Sequence, residues 1–162
     1  MKYILSLGSN IGDRENNLKT AVKLLKERFN LLKISSIYES EPWEMKTEKN
    51  FYNICVEIET DIKPLELLDI LEEIERKMGR ENKGEKKDRI IDIDIILNEN
   101  NIFLSRRLRI PHKFLKERLF YLLPASEIDE NLSEPVSNKS LKKLIEECKD
   151  KNRIWKTGIT LE

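Results

Sequence analysis

The chain has 162 residues, 39% of them hydrophobic and 37% charged, and its 30 basic residues balance its 30 acidic ones. This length predicts one domain, residues 1–162, and the apolar content excludes a disordered chain. Zero net charge argues against a protein that binds nucleic acid or an anionic membrane. The sequence shows no zinc pattern, signal peptide or membrane-length apolar run, so we expect a cytoplasmic protein with buried thiols.

The first third of the chain predicts a strand, a helix and a second strand. Lys2–Leu7 reads as the first strand, and the glycine-containing stretch Gly8–Asp13 reads as a turn. Apolar residues at helical spacing then predict a helix whose buried face comprises Leu18, Ala21, Val22, Leu25 and Phe29. Leu32–Glu39 predicts the second strand, and Ser40–Asn50 predicts a polar loop.

The middle of the chain predicts two further strands around a second helix. Phe51–Thr60 alternates between apolar and polar residues, as a strand does. Pro64 suits the first turn of a helix, and Gly79 is well placed as its C-terminal cap. The expected buried face of this helix comprises Leu68, Leu71, Ile74 or Glu75, and Met78. A charged loop, Arg80–Asp88, leads into the most apolar strand, Arg89–Leu97.

The last third of the chain is less regular. It predicts a turn at Asn98–Asn101, a short strand within Ile102–Arg109, weak helical character over Lys113–Leu123 and a third helix over Ser140–Lys149. The order β-α-β-β-α-β is that of the split βαβ, or ferredoxin-like, arrangement. We therefore predict an α+β fold with an antiparallel sheet flanked by helices in αβα layers.

Two acidic residues share one face of the last strand of this arrangement. Because side chains alternate along a strand, Asp92 and Asp94 lie side by side, with Cα atoms about 6–7 Å apart, and Ile91, Ile93, Ile95 and Leu97 form the opposite face. Two neighbouring carboxylates repel each other unless a cation neutralises them. Magnesium takes oxygen ligands and often uses one or two carboxylates plus substrate phosphates. The alternative is a solvated sheet face that carries acidic residues.

Several arginines and the only histidine surround this strand in the sequence: Arg80, Arg89, Arg107, Arg109, Arg118 and His112. Guanidinium groups match phosphate oxygens and can stabilise charge that develops during phosphoryl transfer. His112 could donate a proton near neutral pH. The alternatives are ordinary surface arginines and a structural histidine.

Aromatic residues and one amide are candidates for binding a planar ligand: Trp43, Phe51, Asn53 and Phe120. Phe51 and Asn53 are two residues apart on one strand and therefore share a face; aromatic residues that fill a core are the alternative. The turn containing Gly8 and Gly12 lacks the P-loop and Rossmann patterns, so we do not place a nucleotide there.

Taken in order, these segments resemble the 6-hydroxymethyl-7,8-dihydropterin pyrophosphokinase family of folate biosynthesis. The resemblance runs from about Leu5 to Pro124 and comprises Leu7–Asp13, Tyr38–Asn53, Gly79–Arg80, Arg89–Ile95, Pro111-His112, Arg118 and Phe120. The chain departs from the family pattern at Lys87-Asp88, where Gly-Pro is usual, and in lacking a tryptophan just upstream.

The resemblance implies an enzyme that transfers pyrophosphate from ATP to the pterin hydroxymethyl group and leaves AMP. It implies two Mg²⁺ ions on Asp92 and Asp94, and catalytic roles for these two residues with Arg80, Arg89 and His112. The implied ATP-binding residues are Glu72, Glu75, Arg89, Ile95, Arg107, His112 and Arg118. The implied pterin-binding residues are Ser40, Trp43, Phe51, Asn53 and Phe120. We expect ATP and a pterin as partners, no nucleic acid or membrane partner, and a monomer or weak dimer.

Two other functions compete with this one. A ferredoxin-like module could bind RNA or a regulatory ligand, but RNA modules of this shape place aromatic residues on central strands in a basic surface. Here we expect the central strand to carry Asp92 and Asp94 instead. A degenerate relative that binds ATP without transferring it is the third possibility.

Overall fold

The computed structural model describes residues 1–43, 47–80, 88–99 and 101–161. Its helices are α1 (Arg14–Arg28), α2 (Pro64–Lys77), α3 (Leu119–Ile128) and α4 (Leu141–Glu147), with a 3-10 turn at Leu115–Glu117 before α3. The main-sheet strands are β1 (Lys2–Ser9), β2 (Asn30–Ile34), β3 (Tyr38–Ser40), β4 (Phe51–Glu59), β5 (Asp92–Asn98) and β10 (Ile154–Lys156). Two small hairpins join β6 (Phe103–Leu104) to β7 (Arg109–Ile110), and β8 (Ser133–Glu134) to β9 (Lys139–Ser140).

The main sheet is antiparallel and has the order β10-β3-β4-β1-β5, with β2 also paired to β4. The predicted α+β, ferredoxin-like fold is confirmed. The expectation that the aspartate strand is central is wrong, because β5 pairs with β1 alone and lies at the edge. In a split βαβ arrangement the last strand returns beside the first, and among the described residues no later strand pairs with it.

Helices cover both faces of the sheet, so the predicted αβα layers are present. One face packs under α1 and α2 through a core that includes Tyr3, Leu5, Leu7, Leu25, Val56, Leu71 and Ile93. The other face packs under α3 and α4 through a second core that includes Ile4, Cys55, Ile96, Leu122 and Leu141. Strict alternation groups Leu97 with Ile95, but Leu97 packs in the second core. The β1–β5 register shifts between Ile4 and Leu5, which turns the end of β5 toward the other face.

The ends of α1 and α2 follow from local chemistry. The Asp13 side chain caps α1 by accepting a hydrogen bond from the Asn16 N–H. Pro64 lies in the first turn of α2, and Gly79, with φ +92°, follows its last turn, as predicted. No helix of the described residues is both long and apolar enough to span a membrane.

Three predicted elements differ from the structure. The single strand Leu32–Glu39 is two strands, β2 and β3, because Ser35 uses both its N–H and its hydroxyl to pair with Cys55. The helix expected over Lys113–Leu123 starts only at Leu119, because Arg118 has an extended backbone. Strand β5 begins at Asp92 rather than Arg89. Most of the predicted charged loop before it, residues 81–87, lies outside the described residues.

Candidate active site

A pocket lies on the α3 side of the sheet, over strands β1, β4 and β5. Its empty volume is about 620 Å³, which includes open solvent at its mouth. Its lining comprises Ser6, Gly8, Ser40, Glu41, Trp43, Phe51, Asn53, Arg89, Asp92, Asp94, Arg118, Phe120 and Tyr121. The sheet register explains how these residues meet: Gly8 is the Cα partner of Asn53 on one side and of Asp92 on the other. A small residue on β1 therefore leaves room between an amide and a carboxylate.

Gly8 forms the floor of this pocket and is needed for its shape. A Cβ atom at this position would lie 3.3 Å from Asn53 Oδ1 and 3.9 Å from the Phe51 ring. Gly8, near the end of β1, therefore contributes space to the pocket.

One end of the pocket carries the predicted planar-ligand residues. Asn53 is buried, and its Nδ2 donates hydrogen bonds to Ser40 Oγ (2.8 Å) and to the Tyr38 carbonyl (3.4 Å). These bonds fix the orientation of the amide, whose Oδ1 faces Gly8. Ser40, Trp43, Phe51, Asn53 and Phe120, the five residues expected to bind the pterin, all line this one pocket.

The other end carries the two carboxylates in different environments. Asp92 accepts hydrogen bonds from Arg80 Nη1 at Oδ1 and from Arg89 Nη1 at Oδ2, the latter at 3.2 Å. Asp94 instead accepts a hydrogen bond at Oδ2 from the Tyr121 hydroxyl, at 2.6 Å. The charge of Asp92 is thus paired with two guanidinium groups, whereas Asp94 is held by a neutral phenol.

Arg80 is a buried cation surrounded by acids. Its Nη1 donates to Glu75 Oε2 at 3.0 Å and to the Ile91 carbonyl at 3.1 Å, in addition to Asp92. Burial alone would lower the pKa of Arg80, but the charges of Asp92, Glu75 and Asp94 outweigh it and raise that pKa. Arg80 therefore stays charged, and it places positive charge beneath the carboxylate end of the pocket.

Arg89 is positioned by the turn that follows β1. Asn10 Oδ1 accepts from the Arg89 N–H (2.7 Å), and the Asn10 N–H donates to the Arg89 carbonyl (3.0 Å). Asn10 Nδ2 also donates to Asp88 Oδ1 at 2.9 Å, and Lys49 pairs with the same carboxylate at 3.5 Å. Asp88, one of the two residues that depart from the family pattern, thus anchors the segment that presents Arg89.

His112 and Arg118 lie beside Tyr121 on the α3 side. Burial lowers the pKa of His112, partly opposed by the nearby Asp94 charge, so the ring is neutral at neutral pH. Its Nδ1 accepts from the Phe114 N–H at 3.1 Å, which places the ring proton on Nε2, 3.5 Å from the Tyr121 hydroxyl. The Arg118 guanidinium stacks on Trp43, 4.2 Å from the ring centroid, and donates to the Tyr121 hydroxyl at 2.8 Å.

The remaining predicted ATP-binding residues lie outside this pocket. Arg107 is half-exposed and pairs with Glu72 at 2.9 Å, on the outer surface of α2. Glu75 and Ile95 are each 2% exposed, so their side chains do not line an open surface. Glu75 points inward to Arg80 and the Ile93 N–H, and Ile95 packs in the α1–α2 core, opposite the carboxylate face. The ATP contacts expected of Glu75 and Ile95 stay predictions.

The carboxylate pair fits a magnesium ion only together with a ligand. Among the described residues no cluster of three or more His, Cys, Asp and Glu side chains could hold a metal alone. Within the same residues Asp94 accepts no hydrogen bond other than that from Tyr121, so Oδ1 can face a cation. Two carboxylates plus phosphate oxygens are a donor set that Mg²⁺ uses.

Sequence reasoning assigned no role to three residues that line the pocket: Ser6, Gly8 and Tyr121. Only Tyr121 carried a signal, as a polar group in the otherwise apolar stretch Leu119–Leu123 next to Phe120. Its contact with Asp94 depends on how α3 packs on the sheet. Local periodicity does not contain that information.

Known proteins similar to this chain point to one family. The model of the 7,8-dihydro-6-hydroxymethylpterin-pyrophosphokinase (HPPK) family matches residues 4–130. The chain is similar to the 2-amino-4-hydroxy-6-hydroxymethyldihydropteridine pyrophosphokinase of Aquifex aeolicus, with 37% identity over 138 residues, 85% of this chain and 86% of that protein. It is similar to the Bacillus subtilis protein of the same name, with 36% identity over 154 residues, 94% of this chain and 89% of that protein.

A solved structure supports the fold. Plasmodium falciparum HPPK-DHPS with pteroate gives a TM-score of 0.73 at 18% identity, covering 90% of this chain and 44% of that one. The chain spans less than half of that longer chain, and the likeness at this identity shows the fold alone.

Proposed function

The chain belongs to the 7,8-dihydro-6-hydroxymethylpterin-pyrophosphokinase family of folate synthesis, and we propose that it works with Mg²⁺ held by Asp92, Asp94 and the phosphates of ATP. The reaction transfers the pyrophosphoryl group of ATP to hydroxymethyldihydropterin and releases AMP. The observation that supports the assignment of roles is a single pocket with an oriented amide and aromatic rings at one end and a carboxylate pair at the other.

The pterin occupies the aromatic end of the pocket. Phe51 and Phe120 contact the faces of the ring, and Asn53 hydrogen-bonds its edge. The bonds from Asn53 Nδ2 to Ser40 and to the Tyr38 carbonyl hold the amide before the ligand arrives, so little conformational freedom is lost on binding. The hydroxymethyl group then points toward Asp92 and Asp94.

The chain's cations contribute positioning and charge neutralisation. The hydroxymethyl oxygen attacks the β-phosphorus, and the bond from that phosphorus to the oxygen bridging to the α-phosphorus breaks. AMP leaves with the bridging oxygen, and the hydroxyl proton passes to solvent. Two bound Mg²⁺ ions would neutralise phosphate charge and align the triphosphate. Arg80, Arg89 and Arg118 supply fixed positive charge around the same oxygens, and neutral His112 can donate from Nε2. Catalysis is then mainly alignment of two substrates.

Conservative substitutions at the carboxylates test this proposal. Asp92→Asn and Asp94→Asn keep side-chain size but remove the charge, so each should lower kcat by about 100-fold or more. Asp61→Asn, at an exposed position, is the matched control and should behave as wild type. Wild-type turnover should also stop when EDTA removes divalent ions. Full turnover in EDTA, or by Asp94→Asn, would rule out the metal assignment.

Other expectations from the sequence stay predictions. These are the cytoplasmic location, the monomer or weak dimer, the absence of nucleic-acid and membrane partners, and the ATP contacts of Glu72 and Arg107. The side chains of these last two residues form an ion pair on the outer surface of α2.

A further inference from the structure

The Tyr121 hydroxyl joins three residues that sequence analysis treated separately. Tyr121 is fully buried in the core between the sheet and helices α3 and α4, yet its hydroxyl reaches the pocket wall. It donates to Asp94 Oδ2 at 2.6 Å, accepts from Arg118 Nη1 at 2.8 Å and lies 3.5 Å from His112 Nε2. The short bond to Asp94 is the length expected of a hydroxyl that donates to a carboxylate.

This contact determines which oxygen of Asp94 can reach a ligand. Because Oδ2 is engaged by Tyr121, rotation of the carboxylate is restricted, and Oδ1 remains for a cation. The phenol is neutral, so it orients the carboxylate without cancelling its charge. Asp92 shows the contrast, since both of its oxygens accept from arginines. The two carboxylates are therefore unequal, and Asp94 is the better prepared for a metal.

The same hydroxyl also fixes Arg118. The guanidinium lies over the neighbouring rings of Trp43 and Phe114, at centroid distances of 4.2 and 4.6 Å. A contact with a ring face leaves the position of a guanidinium within its own plane free. The hydrogen bond to Tyr121 removes that freedom and sets the spacing between Arg118 and Asp94. The Tyr121 hydroxyl oxygen thus holds both Arg118, which would bind phosphate, and Asp94, which would bind the metal.

We propose that Tyr121 is a positioning residue that presents Asp94 Oδ1 to the divalent cation and couples Arg118 to the same site. This inference rests on the proposed function, since it assumes that Asp94 is a metal ligand. Removing one such supporting hydrogen bond costs about 10–100-fold in metal affinity in other sites. Tyr121→Phe removes only the hydroxyl and keeps the ring that packs in the core.

The test measures metal binding directly. Mn²⁺ is titrated into the protein saturated with α,β-methylene-ATP, and free Mn²⁺ is followed by electron paramagnetic resonance. Tyr121→Phe should weaken Mn²⁺ binding by about 10-fold or more. Tyr3→Phe is the matched control, because Tyr3 is also fully buried and its hydroxyl makes one bond, to the Ile62 carbonyl, in the opposite core. This control should bind Mn²⁺ as wild type does.

The outcomes separate this inference from the function on which it rests. Wild-type affinity in Tyr121→Phe, or an equal loss in Tyr3→Phe, overturns the positioning role while leaving the metal assignment intact. Unchanged Mn²⁺ affinity in Asp94→Asn overturns both. A second readout is turnover: raising Mg²⁺ should restore much of the activity of Tyr121→Phe, whereas a variant damaged only in folding would not recover with metal.

Discussion

Replacing Glu75 by alanine tests whether this residue supports Arg80 or contacts ATP. The Glu75 side chain is 2% exposed, and its Oε2 accepts from Arg80 Nη1 at 3.0 Å and from the Ile93 N–H at 2.7 Å. The alanine variant leaves a buried guanidinium with one fewer anion and leaves the Ile93 N–H without this acceptor. Both changes act on the folded state, before any substrate binds.

The size of the effect follows from burial. Removing one partner of a buried ion pair costs about 3–5 kcal/mol. Arg80 keeps Asp92, whose side chain is 23% exposed and so is partly screened by water. We therefore expect a loss toward the lower end, about 3 kcal/mol. In a chain of this size that corresponds to a fall in Tm on the order of 10 °C.

Urea unfolding followed by circular dichroism measures this loss, and Glu73→Ala is its control on the same helix. The Glu73 side chain is 56% exposed and pairs with Arg28 at 3.8 Å, so its removal should cost no more than about 1 kcal/mol. Steady-state kinetics of both variants complete the comparison. A Glu75→Ala variant with wild-type stability and a raised KM for ATP would refute the supporting role and favour the nucleotide contact.

Three further substitutions test other parts of the account. Asn53→Ala should raise the KM for the pterin about 10-fold or more and leave the KM for ATP unchanged in steady-state kinetics, because a buried polar contact is lost at one end of the pocket only. Gly79→Ala should lower stability in thermal unfolding by about 1–2 kcal/mol. The nearest atom to a new Cβ is 3.9 Å away, so this cost comes from backbone strain at φ +92° and not from a steric clash. Glu127→Gln should destabilise the protein at pH 7, and its difference from wild type in urea unfolding should shrink as pH falls below 4.5. Burial alone would raise the pKa of Glu127, but hydrogen bonds from Ser36 and Tyr38 outweigh it and lower that pKa below the ordinary 4.5. The charged Glu127 therefore stabilises the folded protein above pH 4.5, and this contribution is lost as pH falls through the pKa of Glu127 in the folded state.

These substitutions have separate outcomes that would contradict the reasoning. A higher KM for ATP in Asn53→Ala would show that the two ends of the pocket are not independent. Unchanged stability in Gly79→Ala would mean that α2 can end without a left-handed residue. A constant difference between Glu127→Gln and wild type at all pH values would show that the charge of Glu127 is not what stabilises its contacts.

Much of the fold and part of the site could be predicted from the sequence. Strand alternation correctly placed Phe51 with Asn53 and Asp92 with Asp94, because a side chain's face depends only on its position along one strand. The capping residues Pro64 and Gly79 were correct for the same reason, since their effect is local.

The errors lie where distant parts of the chain meet. The edge position of β5 depends on which strands pair, and no pattern within the strand reports it. Leu97 changes faces because the pairing of β5 with β1 skips Ile96, opposite Ile4 and Leu5. The contact between Tyr121 and Asp94 requires α3 to pack at one height on the sheet. Each of these facts is set by tertiary packing rather than by propensity.

Product identity is the most direct test of the central claim, that this pocket transfers pyrophosphate from ATP to the pterin. Wild-type protein is incubated with ATP, Mg²⁺ and 6-hydroxymethyl-7,8-dihydropterin, and the adenine nucleotides are separated by chromatography. We predict AMP in equal amount to the pterin diphosphate, and no ADP. Formation of ADP, or no AMP at saturating substrates, would contradict the account.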